Sequence, residues 1–344
     1  FDNDGIGVGN EAERDDALQA LLQLSSAGDI SALGLDSWLA TIQYKKVGID
    51  YFSIGNMFLP GGLELHSANT QAIYQGIDVQ LEWSSEKNNI ENDPFLPTQT
   101  LVRRGAILNY TPMNINPDAW LWSAIGMPSL TTSFYRTDHS QPFSDIDVTG
   151  YDLENRIDES SLTLAFDREI WNWSVQHTLI STDERTVDIY EGDFLVYETP
   201  SDTDNRMTLL QLGWVPHERA SLNVMAQWNK QSELDDNNYY RNRSYGIDGY
   251  MHIIPDKLSF LMNYNVGHDK SRLSDSSFIE DNFKSQFGSM QLSWHVLNVQ
   301  KVDPGITVYL KGSYGKQDDK AYLSVNEDWS AHIGFEIQWA SGGE

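Results

Sequence analysis

Apolar and polar residues alternate along most of this chain with a period of two, which marks strands with one apolar and one polar face. Tyr245, Ile247, Gly249, Met251 and Ile253 alternate with Gly246, Asp248, Tyr250 and His252. Beyond Pro255-Asp256, Leu258, Phe260, Met262, Tyr264 and Val266 alternate with Ser259, Asn263 and Asn265. The pattern recurs at 77 to 83, 219 to 231, 286 to 296 and 305 to 315. Such runs span about ten residues, well beyond the usual strand of about 5 to 6.

The connections alternate as well. Short ones are predicted at 111 to 119, 167 to 171, 215 to 220, 254 to 257 and 298 to 305, and long polar ones at 84 to 99, 136 to 158, 183 to 203, 232 to 239 and 269 to 282. Short and long links in turn describe an up-and-down meander trimmed at one end and decorated at the other. Read backward from the C-terminus, the pattern predicts twelve strands, at 327–339, 304–316, 283–297, 257–268, 240–254, 219–231, 204–215, 171–182, 159–168, 118–135, 101–111 and 72–84. If residues 38 to 59 fold back near Gly48, the total is about 14, within a range of about 12 to 16. An even count puts both ends on the short-turn side, and one long strand there makes it odd.

Composition narrows the setting. There is no Cys, which excludes disulfides and thiolate metal sites. The chain holds 11 Trp and 16 Tyr at a formal charge of −27, with a mean hydropathy of −0.45. A soluble core concentrates aliphatic residues instead. The longest apolar run, residues 119 to 127, is about half of what a membrane helix needs. The acidic balance excludes nucleic acid as a partner. A chain that opens on Phe1 with no charged-then-apolar leader reads as a mature form or a piece of something longer.

The final strand, with Trp329, Ala331, Ile333, Phe335, Ile337 and Trp339 on one face, ends on an aromatic before the tail ASGGE. In this the chain resembles a Gram-negative outer-membrane β-barrel, porin-like and of no one subfamily, over residues 38 to 339. The resemblance implies an all-β, transmembrane, antiparallel up-and-down barrel in the cell outer membrane. It implies the lipid bilayer and lipopolysaccharide as surroundings, and recognition of the closing strand by the insertion machinery. The tail departs from the family, in which the aromatic is usually last. Strands of about 9 to 11 residues suit a tilted membrane crossing, and closure leaves no unpaired backbone in lipid. Trp171, Trp173, Trp214, Trp294 and Trp339 fall near short-turn ends, and Trp83, Trp228, Trp329 and Tyr314 near long-loop ends, as two interfacial girdles would.

Two domains are expected, a lead-in of residues 1 to 36 and a barrel of residues 37 to 340. In the lead-in, Asn10 and Glu13 form a capping box for a short helix with Ala17, Leu18, Leu21 and Leu22 on one face and Gly28 past its end. That segment is read as a plug, a linker to a periplasmic or surface partner, or an ordered lead-in. Asp2 to Gly5 resembles an acidic calcium loop but lacks the later ligand positions. No metal or cofactor is expected.

No HExxH, GxSxG or phosphate loop is present. His295 and His332 with Glu336 are the candidates for a barrel enzyme, and pore lining is their more ordinary role. Asp78, Glu82, Asp248 and Glu336, against Lys311 and Lys45, give the polar face a modest acidic excess. The 183 to 203 connection sets Asp183, Glu184, Asp188, Glu191, Asp193, Glu198 and Asp202 against Arg185. Its stretch 187 to 198 alternates as a hairpin would, extending outward or folding in as a constriction. Such a mouth concentrates cations; equally, acidic loops keep a surface soluble or hold divalent ions shared with lipopolysaccharide. The chain is read as a non-enzymatic channel for small cationic or neutral hydrophilic solutes, with a membrane anchor or translocation barrel of a larger surface or secretion assembly as the alternative.

Overall fold

In the computed structural model of the chain, the structure describes residues 17–30, 35–48, 62–90, 98–113, 115–116, 118–141, 153–186, 188–191, 193–234, 238–272, 282–297 and 305–338. The strands are β1 (Ala17–Ile30), β2 (Leu35–Val47), β3 (Leu63–Tyr74), β4 (Ile77–Lys87), β5 (Thr100–Tyr110), β6 (Met127–Gln141), β7 (Leu153–Arg168) and β8 (Trp171–Glu184). A small hairpin, β9 (Ile189–Glu191) and β10 (Phe194–Tyr197), precedes β11 (Thr203–His217), β12 (Ala220–Glu233), β13 (Tyr239–Ile254) and β14 (Leu258–Arg272). β15 (Asn282–Leu297), β16 (Gly305–Asp319) and β17 (Ser324–Gln338) follow. Apart from the hairpin, the strands pair in chain order in a 15-stranded sheet.

The chain divides into two compact units. One comprises residues 1–113, 131–160 and 180–202, the other 114–130, 161–179 and 203–344. Within each, antiparallel register carries one face across successive strands. In the first unit Ala72, Val79 and Leu108 lie in one row, and Ile73, Asp78 and Asn109 in the next. In the second, Phe260, Leu292, Leu310 and Ile333 form an apolar row beside the polar row Leu261, Gln291, Lys311 and His332. Register shifts interrupt β11, β13 and β15 beside their short turns, at Trp214/His217, His252/Ile254 and His295/Leu297. Such bulges end pairing and tighten the local twist.

Where a hydrophobic core belongs there is almost none. Among the described residues the buried hydrophobic side chains are Val47, Leu63 and Phe166. Meanwhile Leu81, Met290, Trp294 and Leu310 are 52%, 61%, 58% and 51% exposed on the apolar face. Water does not tolerate a continuous apolar face of this kind, so something other than water covers it.

Three expectations are corrected. The helix expected from Asn10 onward is not formed in its described part: residues 17 to 30 are β1, paired with β2 from Ala17 opposite Val47 to Ile30 opposite Leu35. The run ALQALLQL fits both periods, and pairing decides it by setting Leu18, Leu22 and Leu24 on the face of Ile42. This strand and the start of β2 lie in the segment expected to precede the barrel. Second, among the described residues the sheet has 15 strands where about 14 were expected, inside the expected range of about 12 to 16. The chain does fold back past Gly48, whose carbonyl accepts from the Gly62 amide at 3.0 Å, and β1 supplies a strand that was not counted, while residues 49 to 59, expected as the return strand, lie outside the described residues. A tight turn at Gln75-Gly76, inside a stretch expected to be one strand, then leads into β4. Third, residues 120 to 125, expected as the start of a strand, form the helix α1 (Trp120–Ile125). Its last carbonyl accepts from Trp173 Nε1 at 3.2 Å, and Trp173 stacks on Phe166 with centroids 4.4 Å apart.

Candidate functional site on the polar face

The polar face of the first unit is a lateral network of short amides and carboxylates. Asp78 accepts from Gln71 and Gln80, each at 3.0 Å, and from Asn109 at 3.5 Å. Asn109 Oδ1 in turn accepts from Thr131 Oγ1 at 2.9 Å. Glu82 meets Arg103 Nε at 3.3 Å, and the Arg103 guanidinium lies 4.3 Å from the centre of the Tyr135 ring. Gly105 makes room for that ring, since a Cβ there would stand 2.4 Å from it. Arg103, Tyr135 and Asn109 were not singled out from sequence. In LVRRGAILNY two adjacent arginines hide the phase, and only the pairing of Arg103 opposite Ser84, on the same face as Glu82, assigns it to the polar face.

On the second unit's polar face Asp248 accepts from Asn223 at 2.9 Å, and Asn263 lies opposite it on β14. Lys311 is exposed between Gln291 and His332 in register. Glu336 lies opposite Thr307 and accepts from Gln338 at 2.9 Å. The structure thus places all five expected lining residues on polar faces: Asp78 and Glu82 in the first unit, Asp248, Lys311 and Glu336 in the second.

His295 contacts Thr307 Oγ1 through Nδ1 at 2.9 Å and Ser259 Oγ through Nε2 at 3.4 Å. His332 contacts Ser330 at 3.1 Å. A nucleophilic serine needs its histidine oriented by a third group, usually a carboxylate. Here Glu336 is bonded elsewhere and a hydroxyl occupies the second nitrogen.

The 183 to 203 connection does contain a hairpin, with Phe194 opposite Glu191 and Leu195 opposite Tyr190. Asp188 accepts from the Thr199 amide at 2.8 Å and closes its base, while Asp193 is exposed at its turn. Arg185 binds Asp183 at 2.9 Å and Glu154 at 3.4 Å. The Asp183 carboxylate first, and then Glu154, hold its guanidinium above its ordinary pKa. The one cation of this acidic stretch is therefore already neutralised.

Of the tryptophans expected as girdles, Trp214, Trp228 and Trp294 stand on the apolar face at 47%, 36% and 58% exposure. Trp171 and Trp173 are half-buried at the start of β8. Trp339 lies outside the described residues. Trp228 donates to the Tyr245 hydroxyl at 3.2 Å, the rings meeting edge to face.

No family model and no curated protein matches the chain. Among solved structures it is similar to in-vitro folded OmpT, an outer membrane protein of Vibrio cholerae, at 9% identity over 93% of this chain and 94% of that one, with a TM-score of 0.33. It is likewise similar to outer-membrane expressed OmpT of the same organism, at 8% identity over 96% and 98% of the two chains, with a TM-score of 0.33.

Proposed function

We propose that the chain is a transmembrane β-barrel of the Gram-negative outer membrane and acts as a channel for small hydrophilic solutes, cations and neutral molecules before anions. The observation that carries this reading is the contrast between the two faces: an exposed apolar one, and a polar one whose short side chains bond sideways to each other. Lipid is the environment that suits the first and water the second. From Ile306 to Tyr314 the apolar face of β16 runs about 27 Å at about 3.4 Å per residue. A tilt of 35–45° reduces that to about 21 Å, near the roughly 25 Å apolar band of outer-membrane barrels.

β1 and β17 end the strand order, and in lipid their free backbone groups need partners, at a cost of several kcal/mol each if left bare. Closure supplies them. The fifteen described strands, in an up-and-down order, would close with the first and last parallel. Selectivity follows from charge: Asp78, Asp248 and Glu336 face water with Lys311 and Lys45, and Glu82 is offset by Arg103.

Single-channel recording across a planar bilayer with a salt gradient tests the reading. The expected result is a steady current whose reversal potential reports cation preference, weakened when Asp248 and Glu336 are both replaced by the matching amides. An inserted, folded protein that passes no current overturns the channel and leaves the anchor, and a current that prefers anions overturns the selectivity.

A further inference from the structure

On β11 to β16 the apolar face changes character toward the long connections. Trp228, Tyr245, Tyr264 and Tyr314 form a staggered aromatic belt, with Trp228 directly opposite Arg243, and toward the long connections the same face turns basic. Arg206 lies opposite Lys230, Lys230 opposite Arg241, and Arg241 opposite Lys270. In the neighbouring row Arg243 lies opposite His268, and His268 opposite Lys284. Neighbouring strands are about 4.8 Å apart, and like charges directly opposite one another repel. In a chain with 23 Lys and Arg against 50 Asp and Glu, eight of the cations share this one surface, Arg272 and Lys316 at its edges included.

Carboxylates are fewer than cations on this surface, and one of them, Asp318, lies directly opposite Lys284. Arg206 reaches Asp204 at 3.5 Å, and Lys316, at its edge, reaches Glu327 at 3.2 Å. Among the described residues Lys230, Arg241, Arg243 and Lys270 make no ion pair. In the first unit, by contrast, Arg136 and Arg156 on β6 and β7 bind Asp158 and Asp138 at 2.6 and 2.8 Å. Two hollows complete the surface. A cleft of about 630 Å³ opens among Arg206, Lys230, Tyr239 and Arg272, with Asp204 and Glu233 also on its wall. Nearer the middle of the strands, an apolar groove of about 520 Å³ runs over Gly288, Gly312 and Ala331 between Tyr264, Met290 and Trp329.

We infer that this surface binds the phosphorylated glycolipid of the outer leaflet, lipopolysaccharide, with its phosphates on the cation row and an acyl chain in the groove. The inference rests on the membrane reading above. Charge complementarity names the occupant: a free phosphate answers the cations but not the groove, and a singly charged phospholipid fills the groove but leaves most cations unneutralised.

The test is titration of the purified protein in detergent, followed by native mass spectrometry, with three lipids: diphosphorylated lipid A, the same lipid A after enzymatic removal of its phosphates, and phosphatidylglycerol. Diphosphorylated lipid A is expected to bind at least roughly 10-fold more tightly than the other two. The variant R241Q/R243Q/K270Q loses about that factor, with its conductance in bilayers free of lipid A unchanged. K45Q/K311Q, altered on the polar face, keeps the parent affinity. Equal binding of phosphorylated and dephosphorylated lipid A overturns the inference, as does an unchanged affinity in the triple variant. The comparison of lipids uses the unaltered protein and stands even if that variant does not fold. Failure to insert into bilayers strikes the membrane reading; insertion with phosphate-blind binding strikes this inference alone.

Discussion

Replacing Leu292 by Arg will block most of the chain from its folded, inserted state, whereas Arg at the adjacent Gln291 will be tolerated. Leu292 sits between Phe260 and Leu310 on the apolar face, two residues inside the Trp294 row and four from the Tyr314 row. A charge at that depth on the lipid side of a barrel costs about 2 to 4 kcal/mol. That is a large share of the stability of an ordinary domain. Gln291 lies opposite Leu261 and Lys311 and donates to Ser293 at 3.0 Å. An arginine there replaces one hydrated polar group with another. Leu310→Arg, 51% exposed before the change, repeats the test one strand away. Folding yield into lipid vesicles, read by the mobility difference between heated and unheated samples, measures both. Equal losses at Leu292 and Gln291 would remove the basis for assigning lipid to one face and water to the other.

The second large effect is expected at a turn. Gln75 and Gly76 have φ of 46° and 84°, which is the two-residue hairpin geometry with both central residues left-handed. Gly76 also lies against the next connection, where its carbonyl accepts from the Thr111 amide at 2.8 Å. A Cβ at Gly76 would stand 2.1 Å from the Thr111 carbonyl oxygen. Backbone cannot yield as a flexible side chain does. Gly76→Val therefore combines a left-handed β-branched residue, about 1 to 3 kcal/mol of strain, with a clash between two neighbouring turns. A fall in the urea midpoint of refolded protein checks it, and Gln75→Asn, which suits the same turn, is expected to leave the midpoint unchanged or higher. A Gly76→Val protein as stable as the parent would contradict the geometry of this hairpin.

The two sites also mark where sequence reading works and where it stops. Along β11 to β17 the period-two pattern prevails, though Leu209 and Leu261 break it, and proline or charged turns separate the runs, so register and face follow from most of the residues. In the first third of the chain the same signals weaken. Residues 17 to 24 are apolar enough to serve either period, and only pairing with β2 makes them a strand. Residues 77 to 83 alternate strictly, but Ala72-Ile73-Tyr74 before Gln75-Gly76 is a continuous apolar run, so the reversal there leaves little mark on the hydropathy pattern. In WLWSAI four large apolar residues suit a strand as well as a helical turn, and the Trp173 bond to the Ile125 carbonyl belongs to the folded helix alone.

The functional surfaces divide in the same way. Asp78, Glu82, Asp248, Lys311 and Glu336 could be placed on one face by counting in twos, but not their partners. Arg103 and Tyr135 meet across strands, and nothing in their sequence neighbourhoods announces the contact. The cation row was wholly hidden. Lys230, Arg241 and Lys270 are scattered among polar loop-proximal residues, and only the register of three strands brings them side by side.

Because the chain contains no Cys, single cysteines introduced one at a time from Phe287 to Val296 can report on β15 without background labelling. Reconstituted in vesicles and probed with a water-soluble maleimide and, as spin labels, with a lipid-soluble quencher, these positions test the central claim directly. The account predicts strict alternation: lipid access at Met290, Leu292 and Trp294, and water access at Gln291, Ser293 and His295. Uniform access to water along the whole strand would contradict it.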